Sequence, residues 1–227
     1  MQYHLSCPIC LKEDFQQFIV DLPPNNDGVY EVTCPKGHIF KTDILSHHFQ
    51  TLFENAIHSL SNKYFIESFV SFAACYERFI EYFLNIVLIS RGVKISSFEE
   101  AWKNIAKQSE RQLGAFIFIY LQEFGVKPQL LSNSNIQLRN NVIHKGYLPT
   151  KKDCMKFGEG VLGFIRPVVE LLKTESDFDL ELTKSVNYTG IFDDREIHQH
   201  YMPYQLFAIN RPINETDKKT ISDFLNS

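Results

Sequence analysis

The chain has 227 residues, of which 44% are hydrophobic and 22% charged, a globular composition that excludes disorder along its length. Aromatic usage is lopsided, with 20 Phe and 10 Tyr against one Trp. The formal charge of -4 argues against a polyanionic partner only until it is divided: residues 1–45 carry -3, residues 46–175 carry +3 and residues 176–227 carry -4.

Residues 1–45 read as a small β module. Short alternating runs at Phe15–Val20, Val29–Thr33 and Ile39–Thr42 are separated by Pro23-Pro24-Asn25-Asn26-Asp27-Gly28, a concentrated turn signal. The module is too poor in apolar residues to hold itself together. Cys7-Pro-Ile-Cys10 and, after 23 intervening residues, Cys34-Pro-Lys-Gly-His38 supply what is missing. A CxxC knuckle places two thiolates on one side of a tetrahedral ion, and a second knuckle across a hairpin completes the set. Cys7, Cys10, Cys34 and His38 are therefore expected to hold a structural zinc, with His4, His47 and His48 as substitutes for the fourth ligand. The module resembles a zinc ribbon in which C-x3-H replaces the second CxxC.

From residue 46 to 175 the period becomes helical. Phe65, Phe69, Phe72, Tyr76, Phe79 and Phe83 put six rings on one stripe of a helix expected over Ser61–Ser90, ended by Gly92. That spacing favours core packing over stacking on bases. Ser97-Phe-Glu-Glu100 reads as a capping box opening a second helix, which runs through Trp102 to Phe124 with a break near Gly114. A third is expected over Asn133–His144, closed by Lys145-Gly146, and a fourth over Lys151–Lys173 with a kink at Pro167. Short connections predict an antiparallel bundle.

Residues 176–227 are expected to form an irregular acidic extension, with β-like pieces at Phe178–Leu182 and Gln205–Ile209 and a small helix near Thr216–Leu225. Asp193, Asp194, Glu196, His198 and His200 are weighed as a second metal site and read as a solvated acidic loop. With no apolar run approaching a membrane span and no basic region followed by an apolar stretch at Met1–Pro8, the protein is expected to be soluble and not exported. Its five cysteines, odd in number, fit metal ligation in a reducing, cytoplasmic setting.

The third helix carries Arg139-Asn140-Asn141-Val142-Ile143-His144-Lys145-Gly146-Tyr147. Arginine can pair with a phosphate and stabilise its transition-state charge, histidine can transfer a proton near neutral pH, and an amide can orient either. RNA supplies its own nucleophile, the 2′-OH. On an ideal helix, however, Arg139 lies about 140° from His144, so the two diverge unless the arginine curls or a second copy contributes.

A long aromatic helix bearing Ala73-Ala74-Cys75-Tyr76-Glu77, followed by a short helix with Arg139, Asn140 and His144, resembles the HEPN (higher eukaryotes and prokaryotes nucleotide-binding) superfamily over residues 46–175. The resemblance implies a metal-independent endoribonuclease of toxin or antiphage systems, acting as a homodimer whose two motifs face one groove and open to restraint by a regulatory protein partner. It implies RNA as substrate, Arg139 on the scissile phosphate, His144 in proton transfer and Asn140 in support, with Glu77, Lys145 and Tyr147 as accessory residues. The alternative is a non-catalytic RNA-, nucleotide- or partner-binding version of the same bundle. The fold expected overall is mainly α, an antiparallel bundle with an N-terminal β zinc ribbon and an irregular C-terminal extension.

Overall fold

Alternating residues at the N-terminus build two small sheets in the computed structural model, which describes residues 2–12, 17–26, 28–178, 197–201 and 218–226. Strand β1 (Gln2–Ser6) pairs antiparallel with β2 (Gln17–Asp21), and β3 (Val29–Thr33) with β4 (Ile39–Leu45). Strand β1 was not expected, because its period of two rests on just two inward side chains, Tyr3 and Leu5. The turn before β3 forms as its composition predicts. The Asn25 side chain accepts from Gly28 N at 2.6 Å and donates to Val29 O at 2.9 Å, while Gly28 takes φ 69°, a conformation that costs glycine little.

The module does bury a core of its own, and three of its nine buried members are Cys7, Cys10 and Cys34. Metal-ligand residues thus stand where a larger domain would place aliphatic ones.

The C-terminal extension is not irregular throughout. Strand β5 (Ile197–Tyr201) lies parallel to β4, from Lys41↔Ile197 to Leu45↔Tyr201, which makes the second sheet β3-β4-β5. His198 and His200 therefore belong to a strand and not to an acidic loop. Pairing across the whole helical region leaves no local signature, which is why the strand was missed. Asp193, Asp194, Glu196, Gln205–Ile209 and residues 179–182 lie outside the described residues.

The helical part comprises α1 (His48–Ser61), α2 (Phe65–Ser90), α3 (Ile95–Trp102), α4 (Ser109–Phe124), α5 (Asn133–Lys145) and α6 (Lys151–Thr174). A short α7 (Ile221–Leu225) closes the described chain, capped by Thr220, whose side chain accepts from Asp223 N. The helix expected from Ser61 begins four residues later, because the chain turns at Asn62–Tyr64 with Lys63 at φ 65° and α1 precedes it as a separate element. The ring stripe is packing: Phe69, Phe72, Phe79 and Phe83 are fully buried. Phe49 and Phe53 of α1 meet Phe79 and Phe72 edge-on at 5.2 and 5.3 Å.

Two expectations about the second helix fail. Helix α3 starts at Ile95 after Lys94, so Ser97 lies inside it and caps nothing; the earlier start turns Phe98 inward, where Trp102 stacks on it at 5.9 Å. The interruption falls at residues 103–108 and not at Gly114, which lies within α4. There the buried Gln112 amide donates to Ala106 O at 2.7 Å and to Ile105 O at 3.4 Å, satisfying carbonyls that a continuous helix would have used itself.

The bundle is also not uniformly antiparallel. Helix α1 runs against α2, but Phe69 stacks on Phe157, Tyr76 packs at a tilt against Phe164, and Arg91 pairs with Asp177, so α2 and α6 run the same way. Helix α4 joins them, since Phe83 meets Phe116 while Arg91 meets Glu123. The segment containing α3 carries the chain back before α4 begins. Helix α6 continues through Pro167 to Thr174, and no described helix is long and apolar enough to cross a membrane.

A four-donor centre and an exposed helix end

Two knuckles close the metal centre. Leu11 N donates to Cys7 O at 2.9 Å in the first, and Gly37 N to Cys34 O at 2.8 Å in the second, where Gly37 takes φ 86° to make the turn. The donor atoms of Cys7, Cys10, Cys34 and His38 lie within 4.8 Å of one another. Cys10 Sγ is 3.9 Å from Cys34 Sγ, and His38 Nδ1 is 3.8, 3.3 and 3.6 Å from the sulfurs of Cys7, Cys10 and Cys34. A tetrahedron with zinc–sulfur bonds of about 2.3 Å and a zinc–nitrogen bond of about 2.0 Å has S···S edges of about 3.8 Å and S···N edges of about 3.5 Å.

The fit is close, and it uses all four protein donors, as a structural site does. Burial opposes the Cys34 thiolate, but the backbone N–H groups of His38 and Lys36 together with hydrogen bonds from Cys7 and Cys10 outweigh it and hold the thiol below its ordinary range; burial pushes Cys10 up. His4 is exposed and outside this cluster, and the other two substitutes have contacts elsewhere. His47 packs against Tyr82 at 4.5 Å and Phe49 at 5.8 Å, and His48 Nε2 lies 3.5 Å from Asn26 O.

The second constellation sits on α5. Ser132 caps this helix by accepting from Asn135 N, and Gly146 ends it in the left-handed conformation at φ 71°. Both ends match the sequence reading. Around the axis, Val142 and Asn135 face the bundle, Arg139 lies at the edge of that buried face, and His144 points out on the last turn.

Arg139 is committed to the protein. Its Nη2 donates to Glu77 Oε1 of α2 in an ion pair, with side-chain exposures of 19% and 27%, and its Nη1 lies 3.4 Å from Asn140 Oδ1. Glu77, expected as an accessory residue, is thus in contact with the motif. Arg78 and Glu81 pair with each other, leaving Glu77 to Arg139 across 62 residues of chain. His144 is exposed and has no hydrogen-bond or ion-pair partner among the described residues. The structure thus brings together Arg139, Asn140 and Glu77 and leaves His144 apart. Lys145 is exposed; Tyr147 is exposed too, but its hydroxyl donates to Asp153 Oδ2 at 3.1 Å, so only its ring is free to stack.

This end of the bundle has a feature that no local motif announces. Cys154 Sγ donates to Phe65 O at 3.2 Å, so the N-termini of α2 and α6 stand side by side next to the last turn of α5. Exposed Lys63, Lys145, Lys151 and Lys152 lie at this end, where the N-termini of α2 and α6 meet the C-termini of α1 and α5, so the helix dipoles offset one another and the lysines carry the positive charge.

Comparison of the chain with known protein families, with curated proteins and with solved structures finds no match.

Proposed function

We propose that the protein is a metal-independent endoribonuclease of HEPN type, in which two copies combine Arg139, Asn140 and His144 into one site, serving a toxin or antiphage role. The observation that supports this reading best is the juxtaposition at one end of the bundle. There an uncommitted His144 stands near exposed Lys63, Lys145, Lys151 and Lys152, five residues along α5 from Arg139, which Glu77 positions from the middle of α2.

In the reaction, the RNA 2′-OH attacks the adjacent phosphorus and the 5′-oxygen leaves, giving a cyclic phosphate and a 5′-hydroxyl. One imidazole accepts the 2′-OH proton and another donates a proton to the departing oxygen. Pairing supplies the two histidines and removes the angular divergence within one copy. Arg139 then stabilises the added negative charge on the phosphoryl oxygens, and Asn140 keeps the guanidinium in place. Zinc at Cys7, Cys10, Cys34 and His38 supplies structure to the N-terminal module and no step of this chemistry.

The second reading, a non-cleaving RNA-, nucleotide- or partner-binding protein, draws on the pairing of Arg139 with Glu77, which leaves the arginine largely covered. Incubation of purified protein with mixed RNA in EDTA separates the two, provided circular dichroism confirms that the chelator leaves the bundle folded. Arg139→Ala and His144→Ala are each expected to lose about 10²-fold or more of the cleavage rate. Equal cleavage by all three proteins would refute the site. RNA binding without cleavage by any of them would favour the second reading, and a strict monomer by mass in solution would contradict the paired site.

A further inference from the structure

The Arg139 guanidinium has five N–H donors in a rigid fork. One goes to Glu77 Oε1 and one faces Asn140 Oδ1 at 3.4 Å, which leaves N–H groups for an incoming phosphate. Glu77 comes from the middle of α2 and Arg139 from α5, so their meeting is set by helix packing and not by local sequence. Tyr76, next to Glu77, is buried against Phe164, which fixes that turn of α2. The other cation nearby on α2, Arg78, is engaged by Glu81 and does not draw Glu77 away.

We propose that Glu77 acts as an electrostatic brake on Arg139: a carboxylate built into the fold that competes with the RNA phosphate for one guanidinium. The inference rests on the RNA reading given above and concerns the regulation of that same site. Both side chains are partly covered, so water screens their interaction less than it would on an open surface. A phosphate reaching Arg139 must therefore either share the guanidinium with a like charge or displace it. A single copy then holds RNA weakly at Arg139, and affinity rises where further cations offset the carboxylate, as on the lysine-rich end of the bundle.

The test uses Glu77→Gln, which keeps an oxygen acceptor for Arg139 and removes only the charge. The probe is a labelled single-stranded RNA 12-mer with 2′-O-methyl sugars, which binds but cannot supply the attacking hydroxyl. Affinity at low salt is expected to rise about tenfold in the variant. The slope of log affinity against log salt should steepen by about 0.7, as one further cation becomes available to the strand. Glu77→Gln combined with Arg139→Ala should lose the gain, which locates it at that arginine.

Unchanged or weaker binding by Glu77→Gln, with Arg139→Ala still weakening the native chain, would overturn the brake and leave the RNA reading standing. Absence of binding by native protein and variant alike would overturn the RNA reading and the brake with it. A lowered melting temperature with unaltered affinity would assign Glu77 to helix docking alone and overturn the brake.

Discussion

Helix α6 contains three glycines at 158, 160 and 163, and the surroundings of two of them make a matched experiment. A methyl group at Gly163 meets no atom within 4 Å, whereas at Gly158 it would lie 2.8 Å from Phe72 Cζ, 3.0 Å from Phe72 Cε2 and 3.1 Å from Ile221 Cδ1. Glycine to alanine in a helix interior gains about 1 kcal/mol at either position, so the propensity gain cancels in the comparison. Gly163→Ala should therefore stabilise by about 1 kcal/mol. At Gly158 the ring of Phe72 is fully buried and held edge-on by Phe53 at 5.3 Å, so it cannot withdraw. Overpacking of this kind costs about 1–3 kcal/mol, and Gly158→Ala should end about 1 kcal/mol less stable than the native chain. For a chain of this size each kcal/mol moves the melting temperature by about 2–4 °C, so the two variants should shift in opposite directions. Thermal and urea melts followed by circular dichroism measure both. A Gly158→Ala protein as stabilised as Gly163→Ala would refute the close approach of α6 to Phe72 and of α7 to α6.

Zinc should bind at one equivalent, measured by elemental analysis, and Cys34→Ser should abolish it. Because the module and the bundle have separate apolar clusters, chelation is expected to loosen Val32 and Ile44 in methyl NMR while helical circular dichroism persists. His47, desolvated beside Phe49 and Tyr82, has its pKa lowered from 6.5 to about 4. The unfolded chain therefore binds the extra proton between those values, and stability should fall by about 2.5 kcal/mol on acidification from pH 6.5 to 4. His47→Phe should flatten that dependence in urea melts across pH. Phe178, fully buried against Phe124 and under the Arg91 guanidinium at 5.3 Å, should cost about 3 kcal/mol when truncated to alanine, read as a lower melting temperature.

Features written in local chemistry were legible in the sequence. Helix α5 is the clearest: it spans Asn133–Lys145 against an expected Asn133–His144, and Gly146 ends it in the left-handed conformation that Lys145-Gly146 predicts. The metal centre is legible for the same reason, since each knuckle is a short turn and only their meeting needs the fold. Capping boxes read less well. Thr150 and Thr220 do cap their helices, but Ser97 does not, because α3 starts at Ile95 and carries Phe98 into the core. Helix direction and the pairing of Glu77 with Arg139 had no local trace, as each depends on which faces of distant helices meet. The divergence of Arg139 and His144, by contrast, followed from helix geometry alone.

Strand β5 gives the molecule an order of assembly. Translation delivers the two knuckles and the β3–β4 hairpin before the bundle, and every helix from α1 to α6 must follow before Ile197–Tyr201 reaches β4. Until then β4 presents unpaired backbone N–H and C=O groups along Lys41 to Leu45, an edge on which another strand can add. A nascent or shortened chain is thus most exposed to misassociation at the segment nearest its metal ligands, and a strand made after the bundle shields one made before it.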